Sequence, residues 1–133
     1  MAKNAGIISI VAGIILVVAG IGTWIVVSTT LSAQEITTTE DACLPERTVR
    51  GPFTAYCQAD IIDQHTLEIT GGKTYAELDR DDPLREVAMT SSFLQASLFT
   101  SVVAFGVAAM AVGMGILFMI LGMAFKRIEE KLA

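Results

Sequence analysis

Apolar residues fall into two long unbroken blocks rather than into periodic stripes. Residues 4–34 contain no charged side chain, and neither do residues 87–125. Each block exceeds the roughly 20 residues that an α-helix needs to cross about 30 Å of hydrocarbon. Lipid offers no partner for an open backbone, so we expect a helix in both blocks. The pattern predicts an all-α membrane protein in which a transmembrane hairpin encloses a small extracytoplasmic domain.

The polar positions set the expected division of the chain. Asp82 followed by Pro83 is typical of a helix start, so the second apolar helix should begin near residue 83. Its first turns, which include Val87 and Phe93, are then expected to form one wall of the outer domain. The predicted parts are an N-terminal transmembrane helix at 1–31, an outer segment at 32–92, a C-terminal transmembrane helix at 93–125 and a cytoplasmic tail at 126–133.

The distribution of basic residues predicts the orientation. Lys126 and Arg127 directly follow the second block, and Lys3 precedes the first. Residues 32–92 hold five basic side chains against twelve acidic ones. Lys and Arg concentrate on the cytoplasmic side of membrane proteins. We therefore expect both termini in the cytoplasm and the acidic segment outside the cell membrane.

A cleaved signal peptide is the competing interpretation of the first block. The apolar core of a signal peptide covers about 7–15 residues. The uncharged stretch at 4–34 is far longer. An uncleaved signal anchor is the favoured interpretation.

The outer segment contains signals for short helices. Residues 59–69 are predicted to form a helix that ends at Gly71, a residue suited to a left-handed C-terminal cap. Thr74 and Glu77 have the spacing of a capping box. Residues 43–52, with two prolines and a glycine, are expected to be a loop.

Cys43 and Cys57 are the only cysteines, and both lie in the outer segment. In an oxidising compartment such a pair predicts a disulfide. It would close a loop of about 15 residues and stabilise the small domain by about 3 kcal/mol in the chain-entropy model. A structural metal site is not favoured, because no second cysteine pair or neighbouring histidine completes a tetrahedral set.

Small residues recur every seven positions in both apolar blocks, which places them on one face of each helix. Such faces allow two membrane helices to approach closely. The two sets are suited to an antiparallel hairpin, and either could instead face another protein. Trp24 lies near the expected outer interface, where it can act as an anchor. The six predicted helix-packing residues are Gly6, Gly13, Gly20, Ala108, Gly115 and Gly122.

Residues suited to catalysis are scarce. His65 is the only histidine, and neither apolar block contains Asp, Glu, Lys, Arg or His. Proton relays and substrate sites within membranes usually need such groups. We expect no catalytic site, no cofactor and no metal, and we expect no nucleic-acid partner.

Three stretches carry a resemblance to a known family: GPFTA at 51–55, GGKTYAELDRDDP at 71–83 and SFLQASLFTSVVAFGVAA at 92–109. The chain resembles a family of small actinobacterial two-helix membrane proteins, often labelled as aromatic ring-opening dioxygenases of the LigA type. A non-haem iron dioxygenase needs two histidines and a carboxylate, and this chain has one histidine. The layout is also similar to that of accessory subunits of the actinobacterial cytochrome bcc–aa3 respiratory supercomplex.

The resemblance implies a non-catalytic accessory or assembly subunit of a larger membrane complex. Its partners would be larger integral membrane subunits, cytochrome bcc–aa3 components among them, within the lipid bilayer. The alternative is a homo-oligomeric membrane scaffold or channel-like protein built from the same helix faces. The enzyme implied by the dioxygenase label is the third hypothesis.

Overall fold

The computed structural model describes the whole chain, Met1–Ala133, and is all-helical. Helix accounts for 77% of the residues, and there are no strands. The two long helices are apolar enough to cross a membrane, with mean hydropathies of 2.7 and 2.4 over their most apolar stretches of 18 residues. The prediction of an all-α chain with two long apolar helices is therefore confirmed. In chain order the elements are α1 (Ala2–Ala33), α2 (Pro52–Thr70), a one-turn 3₁₀ helix (Tyr75–Glu77) and α3 (Leu84–Leu132).

Helix α3 begins where the sequence predicts and continues past residue 125. Asp82 accepts a hydrogen bond through Oδ1 from the backbone N–H of Leu84 at 2.9 Å, as an N-terminal capping residue does. The helix then runs for 49 residues to Leu132. Residues 126–133, the predicted cytoplasmic tail, continue this helix except for the last residue. Lys, Arg, Glu and Leu favour helix, and no glycine or proline interrupts them.

Helix α2 begins seven residues earlier than the predicted start at residue 59, so that boundary was wrong. Pro52 occupies the first helical turn, where its missing N–H costs nothing. The Thr54 hydroxyl accepts hydrogen bonds from the backbone N–H groups of Arg50 and Gly51 at 3.2 and 3.1 Å. The predicted end is confirmed, because Gly71 adopts the left-handed conformation with φ 68°.

The chain forms two compact units. The first, here called the hairpin unit, comprises Met1–Val26 and Ala104–Ala133. Most of its large apolar side chains are exposed. Its only buried residues are Phe105 and the six small residues that the sequence predicts for helix packing.

The second unit, here called the connecting unit, comprises Val27–Val103. Its core is made of small and medium side chains, with Val49, Ala55 and Ala59 fully buried. From α3 the buried residues are Ala88, Ser91 and Leu98, whose spacing places them on one helix face. The first turns of α3 thus contribute to this unit as predicted, but not through Val87 and Phe93, which are both exposed, Phe93 at 68%.

Candidate functional site

The six predicted packing residues lie together where α1 and α3 meet in the hairpin unit. We call them the glycine seam. In antiparallel order Gly6 faces Gly122, Gly13 faces Gly115, and Gly20 faces Ala108. Each pair is one seven-residue repeat from the next, so the helices keep the same register along the seam. A strict seven-residue repeat keeps one seam facing its partner as two helices coil around each other.

The seam brings backbone against backbone. A side-chain carbon on Gly20 would lie 2.7 Å from the carbonyl oxygen of Ala108, and one on Gly115 would lie 2.6 Å from that of Gly13. Carbon atoms do not approach oxygen so closely, so no other residue fits without separating the helices. At this separation we expect weak Cα–H···O hydrogen bonds between the glycines and these carbonyl oxygens. Such weak hydrogen bonds recur at close helix contacts.

Two further contacts hold the hairpin unit together, and sequence reasoning did not identify them. The Ser9 hydroxyl of α1 donates a hydrogen bond to the carbonyl oxygen of Phe118 at 2.8 Å. Trp24 packs edge-on against Phe105, with ring centroids 4.7 Å apart. Phe105 is thereby 1% exposed, while Trp24 keeps 39% of its surface open. A single serine or an isolated aromatic pair has no periodic pattern that would single it out.

Other glycines of the hairpin unit face open space. A side-chain carbon on Gly22, Gly106 or Gly113 would meet nothing within 4 Å. Gly106 and Gly113 are again seven residues apart and therefore share a face of α3. This second small-residue face is uncovered in the single chain.

The predicted disulfide between Cys43 and Cys57 is present in the connecting unit, with the Cα atoms 5.4 Å apart. It joins the loop after α1 to the first turns of α2. Cys57 is buried, whereas Cys43 is exposed. Because no free cysteine remains, the bond acts here as a covalent staple.

The loop stapled by the disulfide is organised around a buried threonine. Thr38 is 2% exposed, and its backbone N–H donates to the carbonyl oxygen of Arg47 at 2.9 Å. Its hydroxyl accepts from the Arg47 N–H at 2.8 Å and donates to the carbonyl oxygen of Leu44. The backbone of Val49 bonds to Ile36 alongside, at 2.8 Å. These bonds satisfy polar groups that would otherwise be buried without partners.

His65 pairs with a residue that is distant in sequence. Its Nε2 lies 2.6 Å from Oδ2 of Asp41, and both side chains are exposed. Hydrogen bonds from Thr39 and then from His65 lower the pKa of the Asp41 carboxyl from its ordinary value. No group of three or more His, Cys, Asp or Glu side chains converges in a way that could hold a metal ion. This pair therefore links two surface segments.

Comparison with protein-family models, with curated proteins and with solved structures gives no match. The structure itself therefore defines the class of protein. It is a chain of two long apolar helices that pack through glycine, with a disulfide-bonded connecting unit.

Proposed function

We propose that the chain is an integral membrane protein that crosses the bilayer twice, through α1 and α3. The observation that supports this most strongly is the exposure of the two helices. Over the most apolar 18 residues of each helix, only 11% of the residues are buried in α1 and 17% in α3. The core helix of a soluble protein would instead be mostly buried. A lipid environment accounts for apolar side chains such as Ile8, Val18 and Ile120, which point outward.

In the proposed topology both termini lie in the cytoplasm and the connecting unit lies outside. Lys126 and Arg127 support this orientation, because clustered basic residues stay on the cytoplasmic side. The disulfide supports it independently, since such bonds persist in oxidising compartments outside the cytoplasm. The two features lie in different parts of the chain and indicate the same orientation.

Within the membrane we propose a non-catalytic role as an accessory or assembly subunit of a larger membrane complex. The glycine seam supports this role, because backbone contact between the two helices leaves no passage for a solute. The uncharged blocks at 4–34 and 87–125 also lack the groups on which transport and proton relays depend. A partner would therefore bind the outer apolar surface of the hairpin unit.

The docking surface must differ from the one that the sequence suggests. The seam residues of α1 and α3 contact each other within the chain, so they are not free to contact a second protein. A partner would instead meet the outward faces of α1 and α3 and the surface of the connecting unit. The resemblance to actinobacterial respiratory subunits supports the cytochrome bcc–aa3 supercomplex as that partner.

A homo-oligomeric membrane scaffold or channel-like protein is the second candidate. The observation that favours it is the uncovered face of Gly106 and Gly113, where a second copy could approach closely. Separation by blue-native electrophoresis after mild detergent extraction distinguishes the two. Migration with haem-bearing subunits supports the accessory role, whereas a ladder of this chain alone supports the homo-oligomer.

A further inference from the structure

The disulfide of the connecting unit joins two cysteines that differ in their exposure. Cys57 is 5% exposed and lies within α2, where its neighbour Gln58 and Ile61, one turn further along, are also buried. Cys43 is exposed in the loop that precedes α2. A thiolate of another protein therefore meets the bond from the Cys43 side. The role of a covalent staple does not require this difference between the two ends of the bond.

Cys43 lies at the tip of a loop whose base is fixed by hydrogen bonds. At the base, the backbone N–H of Thr38 donates to the carbonyl oxygen of Arg47 at 2.9 Å. The backbone N–H of Glu46 donates to the carbonyl oxygen of Thr38 at 3.2 Å. Neither bond involves a cysteine, so both can persist when the disulfide opens. The loop can therefore present Cys43 to a second protein while the rest of the connecting unit stays folded.

The backbone of Cys43 is also available to a second protein. Its N–H and its carbonyl oxygen make no hydrogen bond within the chain. On either side of it, the Ala42 N–H donates to the carbonyl oxygen of Thr39 at 3.1 Å, and the carbonyl oxygen of Leu44 accepts from the Thr38 hydroxyl. Unpaired backbone groups allow a binding protein to hold an extended segment through main-chain hydrogen bonds. Here they lie at the residue that carries the accessible sulfur.

The difference in exposure sets the order of a thiol–disulfide exchange at this bond. An attacking thiolate forms a new bond to Cys43 Sγ, and the electron pair of the old bond leaves on Cys57 Sγ, which then takes up a proton. A second thiol of the attacking enzyme displaces Cys43 in turn. The chain then holds two thiols and the enzyme holds a disulfide. The reverse sequence, from reduced cysteines and the oxidised enzyme, forms the bond, so the enzyme's own cysteine pair is the only redox partner needed.

We propose that the bond between Cys43 and Cys57 is a substrate of an extracytoplasmic dithiol–disulfide oxidoreductase, which forms its mixed disulfide with Cys43 while the connecting unit is folded. This inference rests on the topology under the proposed function, which places the unit in an oxidising compartment. Cys57 is then the resolving residue. Its Cα atom lies 5.4 Å from that of Cys43, so its thiolate is in place to expel the enzyme when the bond forms.

The test uses the full chain, purified in a neutral detergent with its disulfide intact. The probe is a thioredoxin whose second active-site cysteine is replaced by serine, so that the enzyme cannot resolve the mixed disulfide. Acid quenching at early times, alkylation and peptide mass spectrometry then measure the enzyme attached to each cysteine. We expect about tenfold more adduct on Cys43 than on Cys57, because exchange requires access to the sulfur that is attacked.

Two single-cysteine variants, Cys57→Ser and Cys43→Ser, form a matched pair for the opposite direction of exchange. The probe is the same thioredoxin variant, activated as its mixed disulfide with thionitrobenzoate. Coupling releases thionitrobenzoate, whose absorbance gives the rate. Cys57→Ser, which retains the exposed thiol, should couple about tenfold faster than Cys43→Ser, which retains the buried one.

The same chains unfolded in guanidinium chloride are the control, because both cysteines are then open to the probe and should react alike. Equal reaction of the two cysteines in the folded chain, a preference for Cys57, or an adduct that appears only on unfolding would overturn the inference. Resistance of the wild-type chain to carbonate extraction from membranes is measured in parallel. A chain that carbonate releases contradicts the proposed membrane protein itself, whereas an inserted chain whose cysteines react alike contradicts only this inference.

Discussion

Gly13 of α1 and Gly115 of α3 face each other so closely that a side-chain carbon on either would overlap the carbonyl oxygen of the other. A side-chain carbon on Gly115 would lie 2.7 Å from the Val17 side chain as well. The same reciprocal contact recurs one repeat away between Gly6 and Gly122. The hairpin is thus held by shape and by weak polar contacts, which are the means available to helices within lipid.

Enlarging a seam glycine should therefore destabilise the hairpin without preventing membrane insertion. For Gly115→Leu we expect a loss of about 1–3 kcal/mol, typical of overpacking. Leu is at least as compatible with lipid as Gly, so the helices should still insert. Trp24 is the only tryptophan and packs within the same unit, so its fluorescence during thermal unfolding in detergent measures the loss.

Gly113→Leu is the matched control for this prediction. It makes the same substitution on the same helix, two residues away, where a side chain meets nothing within 4 Å. Its unfolding midpoint should be no lower than that of the wild type, because leucine favours helix over glycine. Equal destabilisation by the two variants would mean that the seam does not hold the hairpin.

The seam could be predicted from the sequence because its signal is periodic. Seven-residue spacing in two uncharged blocks identifies both faces, and antiparallel order then fixes which glycine meets which. The start of α2 could not be predicted in the same way. Gly51 and Pro52 are common in loops, although proline also suits the first turn of a helix. The Thr54 hydroxyl, which bonds back to the preceding backbone, favours the helix there only through contacts that the folded chain makes.

The organisation of the disulfide-bonded loop depends on contacts that leave no pattern in the sequence. Thr38 is one of several neighbouring threonines, and its burial depends on the return of residues 47–49 beside it. The contact between His65 and Asp41 likewise joins residues 24 positions apart. Such tertiary contacts override what local residue preferences indicate.

The topology predicts that reagents outside the cell reach the cysteines. After reduction, an impermeant maleimide should label Cys43 in intact cells, because that side chain is exposed. As a control, Lys131→Cys in a chain with both native cysteines changed to serine should react only after permeabilisation. Labelling of Lys131→Cys in intact cells, together with protection of Cys43, would show that the protein has the opposite orientation.

The disulfide should stabilise the connecting unit by about 3 kcal/mol, as expected for a loop of this length. Replacing Cys43 and Cys57 together by serine should therefore increase cleavage by trypsin at Arg47 and Arg50, which lie inside the stapled loop. Arg127, outside that unit, serves as the internal reference site. Identical cleavage rates with and without the bond would show that the loop holds its conformation unaided.

The pair of Asp41 and His65 should contribute only weakly, and in a way that depends on pH. Since the pKa of Asp41 is lowered in the folded state, its contribution is present above the ordinary value of 3.8 and is lost as the pH falls through the lowered value. Asp41→Asn should thus slightly lower the thermal midpoint at pH 7 and lower it less near pH 3. A larger decrease of the midpoint at the lower pH would contradict the expected pH dependence of the Asp41 contribution. His65→Ala should leave assembly into the proposed complex unchanged.

Co-purification tests the proposed accessory role most directly. The affinity-tagged full chain is extracted in a mild detergent, resolved by blue-native electrophoresis and analysed by mass spectrometry. Extracts from isotope-labelled untagged cells are mixed in before purification, so that proteins bound only after lysis are recognised by their label. The account predicts a large band in which unlabelled haem-bearing membrane subunits accompany the chain in a fixed ratio. A chain that migrates alone or only with copies of itself, or whose partners are labelled and unlabelled alike, would contradict it.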